Sequence, residues 1–391
     1  MPGTSVALHS EWSVLRAACS IIPPAEKQAR LRSLLREPVR WKSLFDLAER
    51  HGAQPLLYQA LSTVDDAVPP EQLRTLQQAF QSNLHKALFL SRELIRILDC
   101  LSAAGLEVIP YKGLAVAEVL YGDIALRQAG DIDLLIRPRD LPRIIEEVGE
   151  LGYKPNWSLT ETEQRAYLQS GYECAFDGTA GPNLLEVQWA IHPRFYAIDF
   201  DMNGLFDRAE NVTVAGRPMK TPSHADLLLV LSAHAAKHVY GRIVWLRDIA
   251  QLMNLPNLDW NWVGSQAKAL GIVRILRVTM LLAHRLLDAA IPAASLAALP
   301  ANEGSSALEA KLTAEIESHI TSETTYNVES FAYFRLMMSL RERQADRLRF
   351  LQRLLLTPGP GEWKSIRLPR PLFPLYRVVR LSRLAARLVR A

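Results

Sequence analysis

Cysteine is scarce in this chain, with only Cys19, Cys100 and Cys174, odd in number and far apart. That excludes a disulfide framework and the paired spacing of a zinc or redox motif, and it predicts a reduced, cytoplasmic setting. Long apolar runs are also missing. The best candidate, Leu227 to Ala236 between Asp226 and Lys237, falls well short of the roughly 20 residues a spanning helix needs. At the start, the short apolar stretch from Val6 to Leu8 runs into His9, Glu11 and Arg16, which does not resemble a secretory leader. Net charge is low as well: 45 Lys and Arg against 41 Asp and Glu leave +4, too little to argue for nucleic acid or a membrane from the average alone. What is present, 49% apolar and 22% charged residues over 391 positions without a fixed repeat, is the composition of a globular protein of two or three domains.

Residues 11 to 104 carry apolar positions at three- and four-residue spacing, interrupted at Pro23-Pro24, Gly52 and Pro69-Pro70, and Glu71 to Cys100 reads as one long helix. After Gly105 the pattern changes. Val108 to Tyr111 and Ile132 to Ile136 read as strands, Leu114 to Tyr121 as a helix, and Asp140 to Leu151 as a helix with Asp140 at its N-cap. Two more strands are expected at Tyr172 to Phe176 and Leu184 to Ile191, and a hairpin at Val212 to Met219 turning at Gly216. Helices resume behind the N-cap Ser223, at Ala225 to Lys237, Val244 to Met253, Trp260 to Leu270 and Ile272 to Leu287. The Ala-, Ser- and Gly-rich stretch from Pro292 to Ser306 reads as a linker. The expected fold is α+β and predominantly helical: a small mixed β-sheet domain at 105–220, helical regions at 1–104 and 221–340, and a basic helical tail at 341–391.

The chemistry concentrates between Tyr111 and Ile136. Asp131 and Asp133 stand two apart at the start of an apolar strand, so their carboxylates share a face. Two such carboxylates repel each other unless a cation lies between them, and hard oxygen ligands of this kind suit Mg²⁺. An isolated Asp-x-Asp is equally compatible with a strand-entry residue and a solvated edge position. Its surroundings favour function. Gly113 opens a helix directly after a strand, presenting backbone N–H groups to an anion, and Lys112 beside it supplies a cation. A third acid, Glu186, begins a later strand segment with Gln188 on the same face.

These residues carry a resemblance. Lys112-Gly113, then Arg127-x-x-x-Asp131-Ile-Asp133, then an acid on a later strand is similar to the nucleotidyltransferase superfamily that includes DNA polymerase beta and antibiotic nucleotidyltransferases. With Leu151-Gly-Tyr153, Glu186-Val-Gln-Trp189, Lys237-His238 and Trp245-Leu-x-Asp248, roughly residues 80 to 290 resemble a bacterial group of largely uncharacterised nucleotidyltransferase-like proteins. The resemblance implies that Asp131 and Asp133 hold two Mg²⁺ ions, that Glu186 completes the metal site and helps deprotonate the acceptor, and that Lys112, Gly113 and Arg127 hold phosphates. A nucleoside monophosphate would pass from an NTP to an acceptor hydroxyl: a small molecule, a peptide or protein side chain, or an RNA end. Two positions depart from the superfamily pattern: Leu114 follows Gly113 where a hydroxyl residue or second glycine is usual, and Gln188 stands where a histidine is frequent. A protein that keeps the fold but serves only as a binding module is the alternative.

In the later helices Lys237, His238 and Arg242 are placed to face a cleft and contact nucleotide or acceptor, although a solvated face with His234 in the core fits the same pattern. His234 and His238 lack the third ligand a zinc site requires. Asp248 is expected to pair with Arg247 or a neighbouring histidine, and Trp189, Trp245, Trp260 and Trp262 to serve as core or interface anchors. The last 51 residues hold thirteen Lys and Arg against three acids, a net of +10 over a body of −6. Arg377, Arg380, Arg383, Arg387 and Arg390 recur at helical spacing beside aliphatic residues, so 377–390 could meet an anionic membrane, an acidic partner or RNA, or simply pack as a solvated helix.

Overall fold

The computed structural model describes residues 9–157, 159–300, 305–322 and 330–390. Five helices open it: α1 (His9–Cys19), α2 (Pro24–Leu34), α3 (Trp41–Arg50), α4 (Gln54–Leu61) and α5 (Pro70–Ala103). Pro24 and Pro70 occupy first helical positions, where a missing N–H is tolerated. Helix α5 has 34 residues and is about 50 Å long. Its Ala87, Leu90, Leu94, Ile97 and Leu101, three and four apart, are buried on the sheet side, whereas Leu76 belongs to the helical core.

The mixed domain follows as β1 (Ile109–Pro110), α6 (Gly113–Tyr121), β2 (Ile132–Leu135), α7 (Leu141–Glu150), β3 (Lys154–Pro155), α8 (Glu161–Ser170), β4 (Glu173–Gly178), β5 (Gly181–Gln188), α9 (Met202–Asp207), and a hairpin of β6 (Glu210–Val214) and β7 (Arg217–Thr221). The sheet order is β1-β2-β5-β4-β3, with β2 and β5 parallel and the other pairs antiparallel. The fold is α+β. The alternation of side chains decides what each sheet face does. Ile132, Leu134, Cys174, Phe176, Leu185 and Val187 bury one face against Leu94 and Ile97 of α5 and Ile144 and Val148 of α7. The other face carries the acids.

The remaining helices are α10 (His224–Lys237), α11 (Ile243–Met253), α12 (Trp260–Leu270), α13 (Val273–Leu287), α14 (Ala293–Ala298), α15 (Ser305–Thr321), α16 (Phe331–Ser339), α17 (Gln344–Leu356), α18 (Pro360–Ser365) and α19 (Tyr376–Arg390). Helix α10 is apolar almost all round and correspondingly buried. Leu15, Leu44 and Leu57 from the first helices share one hydrophobic core with Leu228, Leu246, Ile249 and Leu276. The N-terminal and C-terminal helices therefore pack together in one core. Within the expected linker, α14 forms, and 301–304 lie outside the described residues. Asp140 does not cap α7 through its side chain, because a 3-10 turn, Pro138–Asp140, leads into that helix. Helix α8, not anticipated, is closed by a capping box between Thr160 and Glu163. Among the described residues no helix is long and apolar enough to cross a membrane.

Candidate active site

Strand pairing builds the site. Asp133 on β2 is the direct partner of Glu186 on β5, so the two side chains stand next to each other on the same face. Gln188, two further along β5, is paired across the antiparallel ladder with Glu173 of β4, and Glu186 with the small Ala175. Asp131 precedes β2 by one residue and shares the face of Asp133. Four carboxylates thus meet on one sheet face, one of them, Glu173, not identified from sequence.

Gln188 sits at the centre of the group. Its Nε2 donates towards Glu186 Oε2 at 3.0 Å and lies 3.3 Å from both Asp133 Oδ1 and Glu173 Oε2. Its Oε1 accepts from the buried Tyr111 hydroxyl. One amide therefore reaches three carboxylates, a task a histidine at this position could not perform in the same way. The Lys112 ammonium lies 3.1 Å from Asp133 Oδ1 and 4.7 Å from the centre of the Tyr111 ring. Burial alone would lower Lys112, but the Asp133 carboxylate holds it above its ordinary value. Burial first, and then the charge of Asp133, pushes Asp131 up to about 6. Burial followed by Asp133 and Glu173 pushes Glu186 up to about 7.

Gly113 fixes the approach of α6 to this face. Its φ is +52°, and a Cβ there would sit 3.3 Å from the Asp131 carbonyl oxygen. No side chain caps the N-terminus of α6, so the positive end of the helix adjoins Asp131. Opposite, Lys237 at the end of α10 donates to the Tyr172 hydroxyl at 3.0 Å and covers its ring at 4.4 Å, with Tyr172 next in chain to Glu173. Burial lowers Lys237 to about 8 although Glu173 opposes the shift.

Other expected residues make their direct contacts away from the acids. Arg127 is 7% exposed and its Nε donates to Asp248 Oδ2 at 3.0 Å, while Tyr121 donates to Asp248 Oδ1 at 2.7 Å. Its guanidinium ties the loop before β2 to α11, and its charge still acts on Asp131. Asp248 accordingly pairs with Arg127 and Tyr121, not with Arg247 or a histidine. His238 and Arg242 stand with His234 around Trp245: His238 and Trp245 ring centres are 5.4 Å apart, and the Arg242 guanidinium is 5.7 Å from the Trp245 ring centre. His234 and His238 pack ring to ring at 4.7 Å. Among the described residues no group of three or more His, Cys, Asp and Glu side chains is drawn together tightly enough to hold a metal ion. Lys112 Nζ and Gln188 Nε2 lie among the carboxylate oxygens instead.

A family model described as uncharacterised nucleotidyltransferase matches residues 37–288. The chain belongs to that family. The match runs from the N-terminal helices through α13, so this nucleotidyltransferase-family unit includes both the acid face and the helices around it. A solved structure of an antigenic nucleotidyltransferase-like protein from Paracoccidioides brasiliensis is similar at 15% identity, covering 55% of this chain and 97% of that one with a TM-score of 0.33. No curated protein matches.

Proposed function

We propose that the protein transfers a nucleoside monophosphate from an NTP to an acceptor hydroxyl. The observation that carries this reading is the convergence of Asp131, Asp133 and Glu186 on one sheet face beside the Lys112-Gly113 start of α6. The donor set suits Mg²⁺ by its chemistry, since the oxygens are hard and four carboxylates face one ammonium in direct contact, although the acids would have to draw together and release Lys112 and Gln188 to take up an ion. Asp131, Asp133 and Glu186 would hold the ions, which in such sites neutralise the triphosphate and activate the attacking oxygen.

The protein's own groups then have definite tasks. Lys112 can exchange its contact with Asp133 for a phosphate oxygen, and the uncapped end of α6 favours the same negative charge. Glu186, set directly beside Asp133 by strand pairing, would take the proton of the acceptor hydroxyl on a carboxylate oxygen. The new bond joins the acceptor oxygen to the α-phosphorus, the bond to the bridging oxygen breaks, and pyrophosphate leaves. Lys237, opposite on α10, supplies a second cation for the phosphates or the acceptor. Arg127 holds the loop that positions Asp131, a supporting part.

The test is release of pyrophosphate by purified protein given each NTP, Mg²⁺ and a panel of small-molecule, peptide and RNA acceptors. Release that disappears in both Asp131→Asn and Asp133→Asn supports the proposal. Release undiminished in both contradicts it.

A further inference from the structure

The C-terminal 51 residues lie beyond the family match and outside the acid face. Their three acids are all engaged inwardly. Glu342 accepts the backbone N–H groups of Val273 and Arg274 at 3.2 and 3.3 Å, Asp346 is buried against Arg343, and Glu362 is buried between Arg380 and Arg383 at 3.3 and 2.8 Å. Lys364, Arg367 and Arg377 are exposed. The outward charge of this segment's own side chains is therefore positive.

Helix α19 is turned the opposite way from a soluble amphipathic helix. Tyr376, Arg380 and Arg383, spaced four and three apart, face the protein, with Tyr376 1% exposed and Arg380 donating to the Leu354 carbonyl. The opposite face presents Val378 at 62% exposure, Leu381 at 41% and Ala385. In the turn before it, Leu372 and Leu375 are 44% and 48% exposed. A run of outward aliphatic side chains that begins beside the exposed Arg377 marks an interaction surface and not scattered exposure. The side chains of Arg387 and Arg390 lie outside those described.

We propose that α19 and the turn before it seat the protein on an anionic lipid surface. Such a surface offers an apolar layer for Val378, Leu381, Leu372 and Leu375 and negative headgroups for the adjoining Arg377, within a segment whose net charge is +10. Nucleic acid would meet the cations and leave the aliphatic face wet. A second copy would bring the same net +10 against itself. The acidic body, at −6, would be oriented away from the lipid. This surface is independent of the catalytic reading, because none of its residues belongs to the acid face.

Co-sedimentation of the full-length protein with vesicles of phosphatidylcholine alone, or mixed with phosphatidylglycerol, tests it directly. The expected result is capture by the phosphatidylglycerol vesicles only, weakened by salt. In Val378→Glu/Leu381→Glu, at exposed positions, an unchanged melting curve should accompany a fall in binding of about tenfold or more. Absence of capture by anionic vesicles, equal capture of the variant, or binding of an RNA oligonucleotide that vesicles do not compete away would each overturn the proposal.

Discussion

Replacing Arg127 by Met would separate two roles for that residue, because a phosphate ligand and a buried strut respond differently. Arg127 and Asp248 have side chains only 8% and 1% exposed, so removing the guanidinium leaves a carboxylate in the interior. Breaking a buried pair in this way costs about 3–5 kcal/mol. The Tyr121 hydroxyl, 2.7 Å from Asp248, still serves that carboxylate, which places the loss near about 3 kcal/mol. In urea unfolding followed by tryptophan fluorescence, that loss moves the midpoint down by somewhat under about 1 M. Asp248→Leu should cost a similar amount, since it strands the arginine. The double variant Arg127→Met/Asp248→Leu should be more stable than either single one, because no uncompensated charge remains. Arg127→Met unfolding within about 0.5 kcal/mol of the parent, with NTP binding abolished, would refute the strut and restore the phosphate role.

Other predictions follow from single residues. His51 is 4% exposed and its Nδ1 accepts the Ile243 N–H at 3.2 Å, and burial lowers its pKa from 6.5 to about 4. Its stabilisation is full above pH 6.5 and is lost as pH falls towards 4, amounting to about 3 kcal/mol, so urea midpoints at pH 7.5 and 5 should differ and the difference should shrink in His51→Gln. Gly113→Ala, which places a Cβ 3.3 Å from the Asp131 carbonyl at φ +52°, should cost roughly 1–2 kcal/mol in thermal unfolding and reduce nucleotide transfer. Lys112→Met, which removes the ammonium 3.1 Å from Asp133, should lower turnover by about 10²-fold while the protein still folds, as read by steady-state kinetics and far-ultraviolet circular dichroism.

Much of the site was legible because its signals are local. The two-residue period of Asp131 and Asp133 set their common face, and Gly113 after a strand marked the helix start. Ser223 was recognisable as a cap from its own sequence, and it accepts the Asp226 N–H at 3.2 Å. What escaped depends on pairing between distant segments. Glu173 joins the acids only because β4 sets it opposite Gln188, and nothing in its own strand marks it. Arg127 resembled a phosphate ligand by spacing, but its partner Asp248 lies 121 residues away on α11. The shared core of the first and last helices is equally non-local. In α8 a signal was present and overlooked, the Thr160-x-x-Glu163 capping box, on a helix that contributes no buried residue. The orientation of α19 follows from Glu362, whose buried carboxylate turns Arg380 and Arg383 inward.

If the acid face works as proposed, the α-phosphoryl group moves together with its nucleoside. NTP labelled either at the α- or at the γ-phosphate, incubated with the full chain, Mg²⁺ and an acceptor, decides it. The α label should pass to the acceptor, the γ label should leave in pyrophosphate, and Asp133→Asn should abolish both. Transfer of the γ label, or α transfer that persists in Asp133→Asn, would contradict it.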